Sequence, residues 1–201
     1  MKSKLVRLHN INHAAYRCRD AEQTRWFYQE VLGLPMTIAV VEDTVPGEGQ
    51  GAETPFMHLF FELGDNNFVA FFDEPLTATP EDFKPVHSFD RHIAYEVGSR
   101  EELLAWAKHI SEHGVEVFGP HNHGFVESIY FYDPNGMQEE ITYRTPEFDQ
   151  ISTHERKNVD SNLSQWTERY RALKEAKFGA DALDKRMVEY CHELYEKEPI
   201  T

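Results

Sequence analysis

His13-Ala14-Ala15-Tyr16 runs into RCRDAEQTRWFYQEVLG, and His92-Ile93-Ala94-Tyr95 runs into EVGSREELLAWAKHISEHG. The two stretches echo each other. Each opens with a short apolar run of strand character and then meets a helix start. Asp20 with Gln23 three residues on, and Ser99 with Glu102 three residues on, are capping-box pairs. In such pairs a side-chain oxygen accepts from a free N–H of the first turn. Trp26, Phe27 and Val31 follow at helical spacing in the first copy, as Leu103, Trp106, Ala107 and Ile110 do in the second. Gly33 and Gly114 then stop each helix.

Working outward, three strand signals follow each helix. In the first copy these are Pro35–Val41, Phe56–Leu63 and Phe68–Phe72, with the turn Gly64-Asp65-Asn66-Asn67 between the last two. In the second they are Val115–Phe118, Val126–Tyr132 and Met137–Tyr143, the last two joined by Asp133-Pro134-Asn135-Gly136. The Gly-rich stretch Val45–Glu53 reads as a loop. The expected fold is α+β: two paired βαβββ modules forming a curved mixed sheet, plus a C-terminal helical extension. Residues 1–87 hold the first module with its linker, 88–145 the second, and 146–201 the extension. In that extension Leu163, Trp166, Tyr170 and Leu173 mark an amphipathic helix beginning near Asp160. Gly179 breaks it, and Leu183, Met187, Tyr190, Cys191 and Leu194 mark a second. Their apolar faces are expected to pack on the sheet or on a partner chain.

Composition narrows the function. At about 150 residues per domain, the 201 residues make one domain or one with an appendage. Thirty-five Asp and Glu against twenty Lys and Arg leave a net charge of −15. That charge argues against binding nucleic acid or an anionic membrane surface. No apolar run is long enough to cross a bilayer, and the opening MKSKLVRLHNINH has no apolar core of a signal peptide. Two cysteines cannot form a disulfide framework, which fits a reducing cytoplasm. Eleven histidines are the unusual count and direct attention to metal ligation.

His13 and His92 occupy the same place in the two copies, and Glu140 lies in the last strand of the second. A histidine at a strand start is by itself most often structural, and Asp-Pro-Asn-Gly is a common hairpin turn. The coincidence of the three is what carries weight. If the modules pair about a pseudo-twofold axis, two imidazoles and one carboxylate can meet. That set binds one face of an octahedral ion and leaves positions open for substrate and oxygen, which suits Fe(II) or Mn(II) better than zinc. Ala70 aligns with Glu140, so one copy alone carries the carboxylate and one site per chain is expected.

The run from His123 through Ile129-Tyr130 and Asp133-Pro134-Asn135-Gly136 to Glu140 resembles the signature of the type I extradiol ring-cleaving dioxygenases. These belong to the vicinal-oxygen-chelate superfamily, with glyoxalase I and the fosfomycin-resistance proteins. The resemblance covers about residues 8–145. It departs at His121, where a small, β-branched or Asn residue is usual, and at Asn67, the nearest match to the family's acid–base histidine. It implies that His13, His92 and Glu140 hold the metal, Fe(II) foremost and Mn(II) second. It implies that His123 and Tyr130 are catalytic groups that hydrogen-bond substrate or oxygen. The implied partners are a small catechol-like aromatic, of the biphenyl-2,3-diol type for instance, and O2, and the implied assembly is a homodimer, its site within one chain or shared between two. With Asn67 unable to transfer a proton, either His58 or His123 would take that role or the reaction differs. Phe60, Phe61, Phe68, Phe71, Phe72 and Tyr132 are candidates for aromatic walls, about half of them core.

Two other readings use the same fold. A metal-dependent transferase or isomerase of the fosfomycin-resistance or glyoxalase type would need cations for an anionic substrate, and Arg17, Arg19 and Arg91 are the nearest. A non-catalytic binding protein would not need the three ligands.

Overall fold

A computed structural model of the chain describes residues 8–43 and 54–183. Contacts divide it into two compact units, Met1–Phe148 and Asp149–Thr201. The first unit holds eight strands in two four-stranded sheets of identical order. Strands β1 (His13–Cys18), β2 (Met36–Glu42), β3 (Phe56–Glu62) and β4 (Phe68–Asp73) run β1-β4-β3-β2 across the first sheet. Strands β5 (His92–Val97), β6 (Phe118–Asn122), β7 (Val126–Tyr132) and β8 (Gln138–Arg144) run β5-β8-β7-β6 across the second. In each sheet the opening strand pairs parallel with the last, and the other pairings are antiparallel.

The helices begin where the caps place them. Asp20 accepts from Gln23 N (2.7 Å) at the head of α1 (Ala21–Arg25), and Ser99 accepts from Glu102 N (3.2 Å) at the head of α2 (Arg100–Glu112). Helix α1 widens into a π-helical turn over Trp26–Val31. The wider turn rotates the face that meets the core. Phe27, Tyr28 and Val31 are buried there while Trp26 stays 40% exposed, so the apolar spacing misplaced Trp26 and passed over Tyr28.

The strand expected over Val115–Phe118 lies later, at Phe118–Asn122. Val115 N still bonds Ile110 O, and Val115 and Val117 pack onto the core from the connection, so pairing with β7 begins only at Phe118 opposite Tyr130. The core lies on the helix side of both sheets. Cys18, Leu59, Phe61, Val69 and Phe71 of the first sheet and Ile129, Phe131 and Ile141 of the second join Phe27, Tyr28, Leu103 and Ile110 there. Burial pushes the Cys18 thiol up to about 12, which leaves it protonated and inert.

The second unit begins within a 31-residue helix, α3 (Phe148–Phe178), which starts earlier than the apolar residues near Asp160 suggested and has no buried residue. Gly179, with φ of 84°, ends it where expected. The loop Val45–Glu53 lies wholly outside the described residues, as does the further helix expected through Met187 and Leu194 apart from Leu183, which stands in a 3-10 turn at Asp181–Leu183. No described helix is long and apolar enough to cross a membrane.

Candidate metal centre

Because side chains alternate along a strand, the residues that leave the core side of each sheet form an open face opposite the helices. On the second sheet this face brings His92 and Glu140 together, with Nε2 and Oε2 3.5 Å apart. The parallel pairing of β5 with β8 causes this: Ala94 lies opposite Glu140, so His92 sits one step diagonal to it on the same face. His92 Nδ1 lies 2.7 Å from the Ser88 carbonyl. A carbonyl oxygen only accepts, so Nδ1 carries a proton and Nε2 is the ring nitrogen turned toward Glu140. The Glu140 side chain is 10% exposed.

Tyr130, opposite Glu140 on β7, and His123 share a hydrogen bond of 2.9 Å between the hydroxyl and Nε2. Burial, and then the Glu140 charge, raise the Tyr130 pKa above its ordinary value, so the phenol keeps its proton. His121 stands nearby, its ring 6.1 Å from that of Tyr130. Four of the residues singled out from sequence, His92, Glu140, Tyr130 and His123, thus meet on one sheet.

His13 stands at the matching place on the first sheet. Its Nδ1 is 2.8 Å from Asn12 Oδ1, an acceptor, which leaves Nε2 as the outward ring nitrogen, as in His92. Its neighbours are the rings of His58 (6.1 Å between centres) and Phe60 (5.6 Å). Among the described residues of one chain no three His, Cys, Asp or Glu side chains gather as a metal site, so His13 does not join His92 and Glu140 within the chain. The donor chemistry nevertheless fits a divalent ion. Two imidazoles with anchored Nδ1 and exposed Nε2, together with one carboxylate, are the nitrogen and oxygen set that Fe(II) and Mn(II) accept. The orienting groups Asn12 and Ser88 were invisible in sequence because neither belongs to a motif; one acts through a neighbouring amide and the other through its backbone.

The remaining candidates divide. Phe60, Phe68 and Phe72 share the open face with His13, whereas Phe61 and Phe71 are fully buried in the core. His58 stacks on Phe72 (3.7 Å, 20°) and leans on Phe60 (4.1 Å). Burial, and then the His13 charge, lower its pKa. Tyr132 is tied to the linker through the Val86 carbonyl. Asn67 bonds back to Asp65 from both its amide groups and so builds its turn. Arg17 pairs with Glu74 at 3.4 Å, and Arg19 holds Gln23.

A chain of two βαβββ repeats with His, His and Glu on the open faces defines a class, and the sequence agrees. The chain belongs to the glyoxalase/bleomycin resistance protein/dioxygenase superfamily, whose pattern matches residues 10–141. A glyoxalase/dioxygenase from Nostoc punctiforme is 25% identical with a TM-score of 0.52, over 72% of this chain and 99% of that one. The fosfomycin resistance protein FosX from Listeria monocytogenes, in complex with Mn(II) and 1S,2S-dihydroxypropylphosphonic acid, is 19% identical with a TM-score of 0.51. That likeness covers 71% of this chain and 98% of FosX and is one of fold alone. No curated protein matches the sequence.

Proposed function

We propose that the chain is a metal-dependent dioxygenase of the extradiol type, cleaving a catechol-like aromatic ring. The observation that carries this reading is the pairing of His92 and Glu140 at 3.5 Å, with the Tyr130–His123 hydrogen bond beside it. In this reading Fe(II), or Mn(II) in its place, is held by His92 and Glu140 of one copy and by His13 of a second. The chain is then a homodimer, whose open faces the two copies cover for each other. When bound, the metal supplies a meeting place for both catechol oxygens and O2 and a path for charge between them.

The chain's own residues do the rest. Phe60, Phe68 and Phe72 offer an aromatic wall, with Phe60 and Phe68 edge to face at 89°, against which a ring packs and from which water is excluded. Tyr130, kept protonated, donates a hydrogen bond to an oxygen placed near Glu140. His123 receives or returns a proton through the Tyr130 hydroxyl, and an imidazole is suited to that near neutral pH. This bypasses Asn67, which is committed to its turn. A transferase or isomerase on an anionic substrate would use the same ligands; Arg17 and Arg19 are engaged by Glu74 and Gln23, which leaves Arg91, whose buried Nε has no partner, as the one cation of the three to meet that substrate.

The test is O2 uptake by protein loaded anaerobically with Fe(II), and separately with Mn(II), across catechols from the simplest to biphenyl-2,3-diol. Uptake matched by a yellow ring-opened product supports the reading. Stoichiometric metal without uptake on any catechol overturns the dioxygenase assignment and leaves the transferase or isomerase.

A further inference from the structure

Helix α3 carries an apolar stripe that stays uncovered among the described residues. Val159, Leu163, Trp166, Tyr170 and Leu173 step by four, three, four and three, the spacing of a two-helix seam. Val159, Leu163, Trp166 and Leu173 are each more than half exposed, and no residue of α3 is buried. Helix α2 differs, with its Leu103 and Ile110 fully buried in the core. Most of a helix's stability comes from packing its apolar face, and a contiguous exposed stripe marks a surface that meets a partner. At the centre of the stripe Trp166 and Tyr170 hold their rings 4.3 Å apart, and these are residue types on which interfaces concentrate their energy.

We propose that the partner is α3 of a second copy, lying antiparallel to the first in a two-helix seam. The charges on the helix select both the partner and the direction. Residues 148–160 carry Asp149, Glu155 and Asp160 against Arg156 and Lys157, a net of −1. Residues 161–178 carry Arg169, Arg171, Lys174 and Lys177 against Glu168 and Glu175, a net of +2. A parallel pair sets like halves side by side. An antiparallel pair sets the acidic half of each copy on the basic half of the other, twice over by symmetry. With Leu163 opposite Leu173 and Trp166 opposite Tyr170 of the second copy, the flanking residues Asp160 and Lys174 face each other at both ends of the stripe. Lys174 already leans toward the stripe, its Nζ 6.0 Å from the centre of the Trp166 ring. On the other flank Arg169 meets its own copy, one repulsive contact against two attractive ones, with its guanidinium drawn over the Tyr170 ring at 5.1 Å. The seam shares the homodimer with the reading above but none of its metal chemistry, so a failure to bind metal leaves it standing.

The experiment follows the mass of the full chain across concentrations by sedimentation velocity at low ionic strength, for the parent, Asp160→Lys, Lys174→Asp and the double variant. Circular dichroism checks that each is folded. Either reversal puts like charges together at both ends, so each single variant should dimerise about tenfold more weakly than the parent, and less so in high salt. The double variant restores both pairs and should return to parental affinity. An equimolar mixture of the two single variants should form mixed dimers by native mass spectrometry, because each supplies the charge the other lacks. A dimeric parent whose variants all dimerise alike overturns the seam and leaves the stripe to another occupant, residues 184–201 of the same chain first. Weakened single variants that do not recover on mixing overturn the antiparallel pairing. A parent that stays monomeric overturns the seam, and with it the site shared between two copies.

Discussion

At the level of Phe60 in the first sheet and Tyr130 in the second, two halves built on one plan part company. Strand order, register and the closing turn coincide. On the open face, however, the first sheet presents Phe60, Phe68 and Phe72, and the second presents Tyr130, Gln138 and Thr142 at the matching positions. His13 and His92, with Ala15 and Ala94 two residues on, are what the two faces retain in common. The backbone plan therefore fixes where a histidine stands on each open face, and the surrounding residues set whether that face is aromatic or polar.

The comparison breaks most completely at the carboxylate. Glu140→Ala makes the second sheet like the first, and His92→Ala removes the residue common to both. Either change is expected to abolish retention of Fe(II) or Mn(II) through desalting, with circular dichroism unchanged. Full metal occupancy in either variant removes that residue from the ligand set. Next in size is Tyr130→Phe, which copies Phe60 into the second sheet. Turnover should fall on the order of 100-fold while metal affinity stays within a few-fold of the parent. Unchanged turnover would take Tyr130 out of the chemistry.

How much of this was legible in sequence follows from what each residue's signal depends on. The repeated module was readable because caps, helix stops and alternation are local, and Asp20, Ser99 and Gly114 act within a few residues of themselves. His92, Glu140, Tyr130 and His123 were readable as a set because one antiparallel hairpin and one parallel pairing bring them together. What escaped depends on distant contacts. The π-helical turn that buries Tyr28 has no spacing of its own, and the Tyr28 hydroxyl reaches Asp133 and Glu139 more than a hundred residues away. The Asp-Pro-Asn-Gly turn reads as a hairpin, yet it is also a junction. Asn135 accepts from Arg19 N at 2.9 Å, and Val86 N donates to Gly136 O at 3.0 Å.

That junction gives a third, smaller test. Asn66 and Gly136 are equivalent residues of the two closing turns, with φ of 61° and 76°. Asparagine tolerates that conformation, so conformation alone does not demand glycine at 136. A Cβ there would lie 2.6 Å from the Phe83 and Lys84 carbonyl oxygens of the linker. Gly136→Asn should therefore destabilise by about 2 kcal/mol in urea unfolding, because backbone must move. Asn66→Gly, the reverse exchange in the first sheet, should cost at most about 1 kcal/mol, through chain entropy. Equal effects would mean that the linker does not press on the second turn.

The smallest effect is set by one proton on the core side of the second sheet. The Tyr28 hydroxyl lies 2.7 Å from Glu139 Oε1 and 3.1 Å from Asp133 Oδ2, and it has one proton to give. Asp133 already accepts from Asn135 N, Met137 N and the Asn135 side chain. Tyr28 can therefore donate to Asp133 only if Glu139 is protonated and donates to Tyr28 in turn. Burial, and then the Asp133 charge, push the Glu139 pKa well above its ordinary value, in keeping with a neutral acid. Since the folded chain keeps a proton that the unfolded chain releases, this contribution to stability is complete below the unfolded pKa of 4.5. It is lost as pH rises from there through the folded value. Glu139→Gln retains an N–H that can donate to Tyr28 and cannot ionise. Its urea midpoint should match the parent near pH 4.5 and exceed it increasingly toward pH 8. Parallel midpoint curves across that range would mean that Glu139 is ionised in the folded chain and that Asp133 holds the proton instead.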